Sequence, residues 1–370
     1  MFVDLHKPLA TILILLGSCF HDFALAAPDD SRSAEVNQLG TVVADFSLSD
    51  VDGKTYRLSA VPAQHIVVIA FLGTECPLAK LYGTRLAELA RRYEPRGVTF
   101  LGINSNCQDT LRELAAYGRR HRIPFPLLKD VGNQLADRMT AVRTPEVFAL
   151  DQQRRICYRG RVDDQYTVGV SRDQPQREFL RDALDDLLAQ RAVRRPQTVA
   201  VGCYIGRLQE PLENAPVTYS QQIARLFQKH CVECHRDGEI APFSLTRYDE
   251  VVGWADTIAE VVANRRMPPW HASAEYGRFR NARVMTRRER DLIFQWVRDG
   301  APQGNPDDLP PPETFRRGWK RSIEPDQILA MRDTPFTVPS QGTVEYQYFV
   351  VDPKFERDQW ISAAEVIPGN

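Results

Sequence analysis

The run HIVVIAFLG at 65–73 does most to narrow the fold. From Ile66 to Leu72 every residue is apolar, without alternation. Such a strand must be covered on both faces, which calls for a sheet with helices on either side. The surrounding chain, from Val42 to about Gln190, supplies the other elements. VVADFSL and KTYRLS flank DVDG, an Asp-Gly hairpin signal. The apolar strand leads into Leu78 to Tyr93, where Leu81, Leu86, Leu89 and Ala90 recur near a helical period. VTFLGIN reads as a second apolar strand and DTLRELAAYGRRH as a second helix. EVFALD and RICYRGRV read as consecutive strands, and QREFLRDALDDLLAQR as a last helix.

Strand–helix–strand, then two strands and a helix, is the order of a thioredoxin-like α/β domain, expected over 36–192. In it, GTECPLAKLY puts Cys76 just after the apolar strand, at the start of a helix. Backbone N–H groups and the helix dipole at that place stabilise a thiolate. The position three residues on is Ala79, so a helix-internal disulfide cannot form. RTPEVFAL supplies Thr144 and Pro145 ahead of a strand, where this fold keeps a cis-proline beside the active cysteine. Cys76, Thr144 and Pro145 are therefore the candidate catalytic residues. A peroxidase pattern, P-x-x-x-T/S-x-x-C, would need proline at 69 and threonine or serine at 73. Ile69 and Gly73 stand there. Thiol–disulfide exchange needs a resolving cysteine, and Cys203 in TVAVGCYIG is the leading partner. Cys107 and Cys157 are expected to be ordinary buried cysteines or a disulfide of their own. Four cysteines allow three complete pairings, and spacing does not choose among them. A buried inert thiol and a 1-Cys peroxidase remain as alternatives for Cys76.

A second motif lies in KHCVECHRDG, 229–238. Structural zinc sites take four ligands, commonly from paired motifs. Here one C-x-x-C is present, and the only later histidine is His271, so a set of Cys231, Cys234, His235 and His271 has no usual spacing. A Cys231–Cys234 disulfide leaves His235 unexplained. C-x-x-C-H is the attachment signature of a c-type haem. Cys231 and Cys234 would form thioethers to the porphyrin, and His235 would ligate the iron. The flanks read as helices: Ile223, Leu226, Phe227 and His230 share a face before the motif. TRRE, with Thr286 and Glu289, is a capping box before RDLIFQWVRDG, where Ile293, Trp296 and Val297 can pack against the first helix. NRRMPPWHA offers Met267 as the sixth ligand, with His271 next and Met285 last. Arg265 and Arg266 are candidates to pair with the propionates, a solvated basic loop being the equal alternative, and a carbonyl near Pro242 is a candidate to hold the other nitrogen of His235. An all-α cytochrome c domain is expected over 217–301, after a connection at 193–216.

The first 26 residues read as a signal peptide. PLATILILLGSCF is too short to span a bilayer, and ALA at 24–26 is a small-x-small cleavage site. LGSC at 16–19 also resembles a lipobox, which would lipidate Cys19. Both routes place the protein outside the cytoplasm, in the periplasm or an equivalent compartment. A membrane partner is expected only if Cys19 is lipidated. With 43% hydrophobic and 26% charged residues the chain can bury real cores, and a net charge of −1 gives no pull towards nucleic acid. The partners expected are redox proteins that donate or accept electrons. Residues 302–330 are a Pro-rich linker, and 331–370 read as two or three strands of an incomplete β segment.

The whole resembles extracytoplasmic proteins in which a redoxin domain of AhpC/TSA type precedes a cytochrome c module and a copper type II, ascorbate-dependent monooxygenase-like domain. The resemblance rests on GTECPLAKLYGTRLAELA, TPEVFALD, YRGRVDDQY, HCVECHRDGEIAPFSL, RRMPPWHA and FTVPSQGTVEYQYFVV. It implies one haem c and a thiol domain. In such proteins copper is held by histidines and a methionine after the opening strands of the last domain. No histidine follows His271 here, so no copper and no hydroxylation are expected of this chain. The reading is an extracytoplasmic redox protein that joins haem electron transfer to a thiol-disulfide domain. Its rival is a cytochrome with a redox-inert thioredoxin-like binding module.

Overall fold

A computed structural model of the chain describes residues 39–273, 275–315, 324–338 and 344–367. The expected signal peptide and Cys19 lie outside these residues. The chain begins with the hairpin expected around DVDG: β1 (Ser47–Asp50) pairs antiparallel with β2 (Thr55–Arg57). Then come β3 (Ile66–Phe71), α1 (Pro77–Tyr93), β4 (Val98–Asn104), α2 (Leu111–Arg120), β5 (Leu127–Lys129) and α3 (Gln134–Arg138). The two-residue strand β6 (Arg143–Thr144) precedes β7 (Glu146–Leu150) and β8 (Ile156–Gly160). A small ribbon of β9 (Tyr166–Thr167) and β10 (Val170–Ser171) leads to α4 (Phe179–Leu188).

Seven strands form one mixed sheet in the order β2-β1-β5-β4-β3-β7-β8. β3 lies near its centre, parallel to β4 and antiparallel to β7. All six of its residues are buried, and they face two different cores. Ile66, Val68 and Ala70 join Leu86, Tyr93, Leu114 and Leu184 of α1, α2 and α4. Val67, Ile69 and Phe71 join Leu135, Ala136 and Met139 on the opposite face. Continuous apolarity in the sequence thus becomes a strand with a layer on each side.

The connection after α4 is irregular except for β11 (Cys203–Tyr204), which pairs antiparallel with β6. Residues 217–301 then form a helical unit. A π-helical turn at Tyr219–Ile223 runs into α5 (Ala224–His230), followed by α6 (Tyr248–Val251), α7 (Ala255–Ala263) and α8 (Arg287–Arg298). Its core holds Ile223, Phe227, Trp254, Ile293 and Trp296. Trp296 is fully buried, with its ring edge-on to Phe227 and its Nε1 donating to the Pro302 carbonyl at 3.0 Å. Thr286 caps α8 as expected: its Oγ1 accepts from the Glu289 N–H at 3.2 Å, and the Glu289 carboxylate accepts from the Thr286 N–H at 2.7 Å. Among the described residues no helix is long and apolar enough to cross a membrane.

The expected β segment over 331–370 does not form strands among its described residues. Tyr346 and Tyr348 are each 86% exposed and Trp360 is wholly exposed. A strand needs a hydrogen-bonding edge and a surface to cover, and these residues meet neither in this chain.

Candidate functional site

Cys76 caps the N-terminus of α1 and is wholly buried. The strand β3 delivers it, and the Thr144–Pro145 peptide bond facing it is cis, the isomer expected at this place. Its thiol donates to the Thr144 carbonyl at 3.0 Å. Four residues that the sequence did not flag build the floor beneath it. Asp109 Oδ2 accepts from the Thr74 N–H at 2.8 Å, from Asn104 Nδ2 at 2.6 Å and from Asn106 Nδ2 at 3.0 Å. Lys129 Nζ donates to Asn104 Oδ1 at 2.7 Å and to the carbonyls of Asn106 and Asp109 at 2.6 and 2.7 Å. This buried network fixes the turn that presents Cys76. In the sequence, NSNCQD reads only as a polar loop after an apolar strand.

The geometry also explains Gly73. A Cβ there would lie 2.6 Å from Asn106 Nδ2 and 2.9 Å from Thr144 Oγ1, closer than real contacts allow. A threonine or serine hydroxyl, as the peroxidase pattern requires, has no room. The hydroxyls of Thr74 and Thr144 are buried beside this point without a hydrogen bond.

β11 brings Cys203 to the same place. Its register sets Cys203 opposite Thr144 and Tyr204 opposite Arg143. Gly202 makes this approach feasible: its φ is +146°, and a Cβ on it would sit 1.9 Å from the Thr144 carbonyl oxygen. Downstream, Asn106 Oδ1 accepts from the Gly206 N–H at 3.0 Å, and Ile205 N donates to the Val142 carbonyl at 2.8 Å. Burial pushes the Cys76 thiol up. Hydrogen bonds from the Cys203 side chain and from the backbone of Ala79 and Cys203 outweigh it, and the thiol settles at about 6. Cys203 moves the other way. Its hydrogen bond to Cys76, its burial and the Cys76 charge hold it well above the ordinary thiol value. Cys107, expected to be buried, is exposed, and Cys157 is half-buried; each is a free thiol. Burial pushes both up, to about 11.

In the helical unit, Cys231 closes α5, and the His235 N–H bonds the Cys231 carbonyl at 2.9 Å in a continuing turn. Cys231 and Cys234 are free thiols. The buried His235 ring has its Nδ1 at 3.1 Å from the Phe243 carbonyl, which assigns Nδ1 as the donor and leaves Nε2 as the nitrogen with the lone pair. Burial holds His235 below its ordinary value, so the imidazole is neutral, the form that binds a metal. Phe243 in turn stacks on Trp254 with ring centroids 4.0 Å apart. Apolar side chains stand exposed on the loops around the motif: Ile240 at 88%, Phe279 at 47% and Met267 at 40%. A free thiol pair and an oriented imidazole in C-x-x-C-H order fit a macrocycle attached at Cys231 and Cys234. His271 is exposed. Met285 is packed into the helical core, away from solvent. Arg266 pairs with Glu260 at 3.3 Å. Among the described residues no three His, Cys, Asp or Glu side chains are grouped to hold a metal ion, so the zinc set is not assembled.

A cysteine thiol at a helix N-terminus, beneath a cis-proline and at the end of a central apolar strand, defines a thioredoxin-like redox domain. Residues 39–159 match the AhpC/TSA family, and this part of the chain is a redoxin domain of that kind. Chloroplastic peroxiredoxin Q of Triticum aestivum is 29% identical over 119 residues, which cover 30% of this chain and 54% of that protein. The thiol-disulfide oxidoreductase ResA of Geobacillus thermodenitrificans is 25% identical over 118 residues, covering 32% and 66%. A hypothetical protein of Sinorhizobium meliloti 1021 with a solved structure is 32% identical, at a TM-score of 0.43, covering 45% of this chain and 93% of its own. The chain spans about half the length of the peroxiredoxins it matches.

Proposed function

We propose that the chain is an extracytoplasmic thiol–disulfide oxidoreductase whose redox pair is Cys76 and Cys203, joined to a c-type haem module. The carrying observation for the thiol half is the β6–β11 ladder, which sets Cys203 opposite Thr144, the residue whose carbonyl accepts from the Cys76 thiol. The Cys76 thiolate attacks one sulfur of a substrate disulfide; a mixed disulfide forms and the other sulfur leaves as a thiolate. Cys203 holds its proton because of its hydrogen bond to Cys76, its burial and the Cys76 charge. Once Cys76 carries a sulfur instead of a charge, the hydrogen bond and repulsion from Cys76 that help hold the Cys203 proton vanish, so Cys203 loses its proton more readily than in the resting site. It attacks the Cys76 sulfur, releases the second substrate thiol, and leaves a Cys76–Cys203 disulfide. The substrate gains two electrons and two protons. Cys203→Ser should stop the reaction at the mixed disulfide. With a chromogenic aromatic disulfide, one equivalent of thiol per protein should appear and the adduct should persist on Cys76 in intact mass. Full turnover by Cys203→Ser would leave Cys203 without a role.

For the haem half, the reading is supported by C-x-x-C-H, by the Phe243 carbonyl on His235 Nδ1, and by the export signal in the sequence. Cys231 and Cys234 would hold the porphyrin, and His235 and Met267 would ligate the iron. Such a group supplies one-electron transfer when bound. This chain's own part is to orient the imidazole, through the Phe243 carbonyl at His235 Nδ1. Met267→Ala should remove the absorption band of a methionine–iron bond near the red end of the oxidised spectrum; an unaltered spectrum would return the sixth position to His271 or leave it open.

A further inference from the structure

Resting on the thiol-exchange reading above, we propose that the helical unit completes the thiol site, with Glu260 as the positioning residue that keeps Cys203 against Cys76. β11 is two residues long, and a ladder of that length does not hold its own register. Its outer side is held by α7. Thr257 Oγ1 accepts from the Tyr204 N–H at 3.0 Å. One turn on, Glu260 takes both ends of the Arg143 guanidinium, Oε2 from Nη1 at 3.1 Å and Oε1 from Nη2 at 3.3 Å. Arg143 is the residue before Thr144. Its Nη1 also donates to the Gly202 carbonyl at 2.8 Å, and its guanidinium lies 4.1 Å over the Tyr204 ring. One cation therefore clasps the residues on both sides of Cys203, and a carboxylate from the other unit fixes that cation. Both partners are mostly buried, with side chains 17% and 22% exposed. A bidentate pair this sheltered is worth more than a surface ion pair.

The quantity that reads this out is the equilibrium of the pair against glutathione. The dithiol and oxidised glutathione give the Cys76–Cys203 disulfide and two reduced glutathiones, each sulfur of glutathione taking one proton and one electron. The equilibrium constant measures how closely Cys203 is held to Cys76. In the full chain, Glu260→Ala should lower that constant roughly tenfold, while Glu260→Asp, which keeps the charge, should recover part of the loss. Thr257→Val, which removes only the hydroxyl, should lower it in the same direction. An unchanged constant in Glu260→Ala with native circular dichroism would overturn the proposal, as would Glu260→Asp being as impaired as Glu260→Ala. Should Glu260→Ala fail to fold, Thr257→Val decides alone. Peptide mapping of the oxidised wild type keeps the two readings apart. Absence of a Cys76–Cys203 bond sinks the exchange reading itself, whereas a bond insensitive to Glu260 and Thr257 sinks only the part assigned to α7.

Discussion

Cys76→Ser will reduce disulfide substrates at least roughly a thousandfold more slowly than wild type, because the attacking sulfur is gone and a serine hydroxyl cannot form the mixed disulfide. The wild-type rate should carry the signature of the site. Cys76 titrates at about 6, so its thiolate fraction rises as pH climbs through that value and is nearly complete by neutrality. Alkylation by iodoacetamide should therefore be half-maximal near pH 6 and flat above pH ~7.5, where an ordinary thiol of pKa about 8.5 is still gaining reactivity. Peptide mapping assigns the label to Cys76. A profile that keeps rising through pH 9 would mean an inert thiol and would favour a binding role for the redoxin domain. The low value has a structural source: the hydrogen bonds that lower Cys76 come from Cys203, in β11, and from Ala79, at the start of α1.

Cys231→Ala/Cys234→Ala, matured in a host that attaches c-type haem, should lose its covalent haem completely. Wild type should keep its colour through acid-acetone extraction and gain the mass of one haem; the double variant should release all colour or never acquire it. Each thioether is an independent covalent anchor, so the single variants should keep at least part of the pigment and shift the pyridine haemochrome band. Wild-type protein with only the polypeptide mass would remove the cytochrome reading, and with it the role given to Met267. His235→Ala tests a separate point. The ring is held by the Phe243 carbonyl and makes no other hydrogen bond among the described residues, so its loss should leave the thioethers in place while changing the iron's spectrum.

Much of the fold could be read from residue order alone, and particular residues show why. Ile66 to Phe71 gave a strand with two covered faces because unbroken apolarity has only that solution in a sheet, and the two cores divide its residues alternately. The capping box at Thr286 was legible because it is a contact between neighbours in sequence. β11 was not. Two residues carry no periodicity, and its position depends on Gly202 passing the Thr144 carbonyl and on Thr257 and Glu260 from a distant helix. Cys203 could be nominated from the sequence as a partner for Cys76, but the ladder that places it could not. The Asp109 cluster was equally hidden, since nothing in NSNCQD says that its carboxylate reaches the Thr74 N–H. FTVPSQGTVEYQYFVV misled in the other direction: its composition suits strands, but a strand is a property of a pair, and no partner edge is offered to its described residues.

The pairing of β11 with β6 has a further effect on the choice of client. Extended polypeptides commonly lodge on another protein by lending a strand to an open edge. Beside the cis-proline that berth is already filled, by residues 202–205 of the same molecule. On the thiol-exchange proposal, a protein client would first have to evict this resident segment and its grip on Arg143, whereas a compact, low-molecular-weight disulfide would need only a brief opening. Under the proposed thiol exchange, the chain's own backbone would act as a resident competitor, and selectivity would be set by how well a newcomer outbids it.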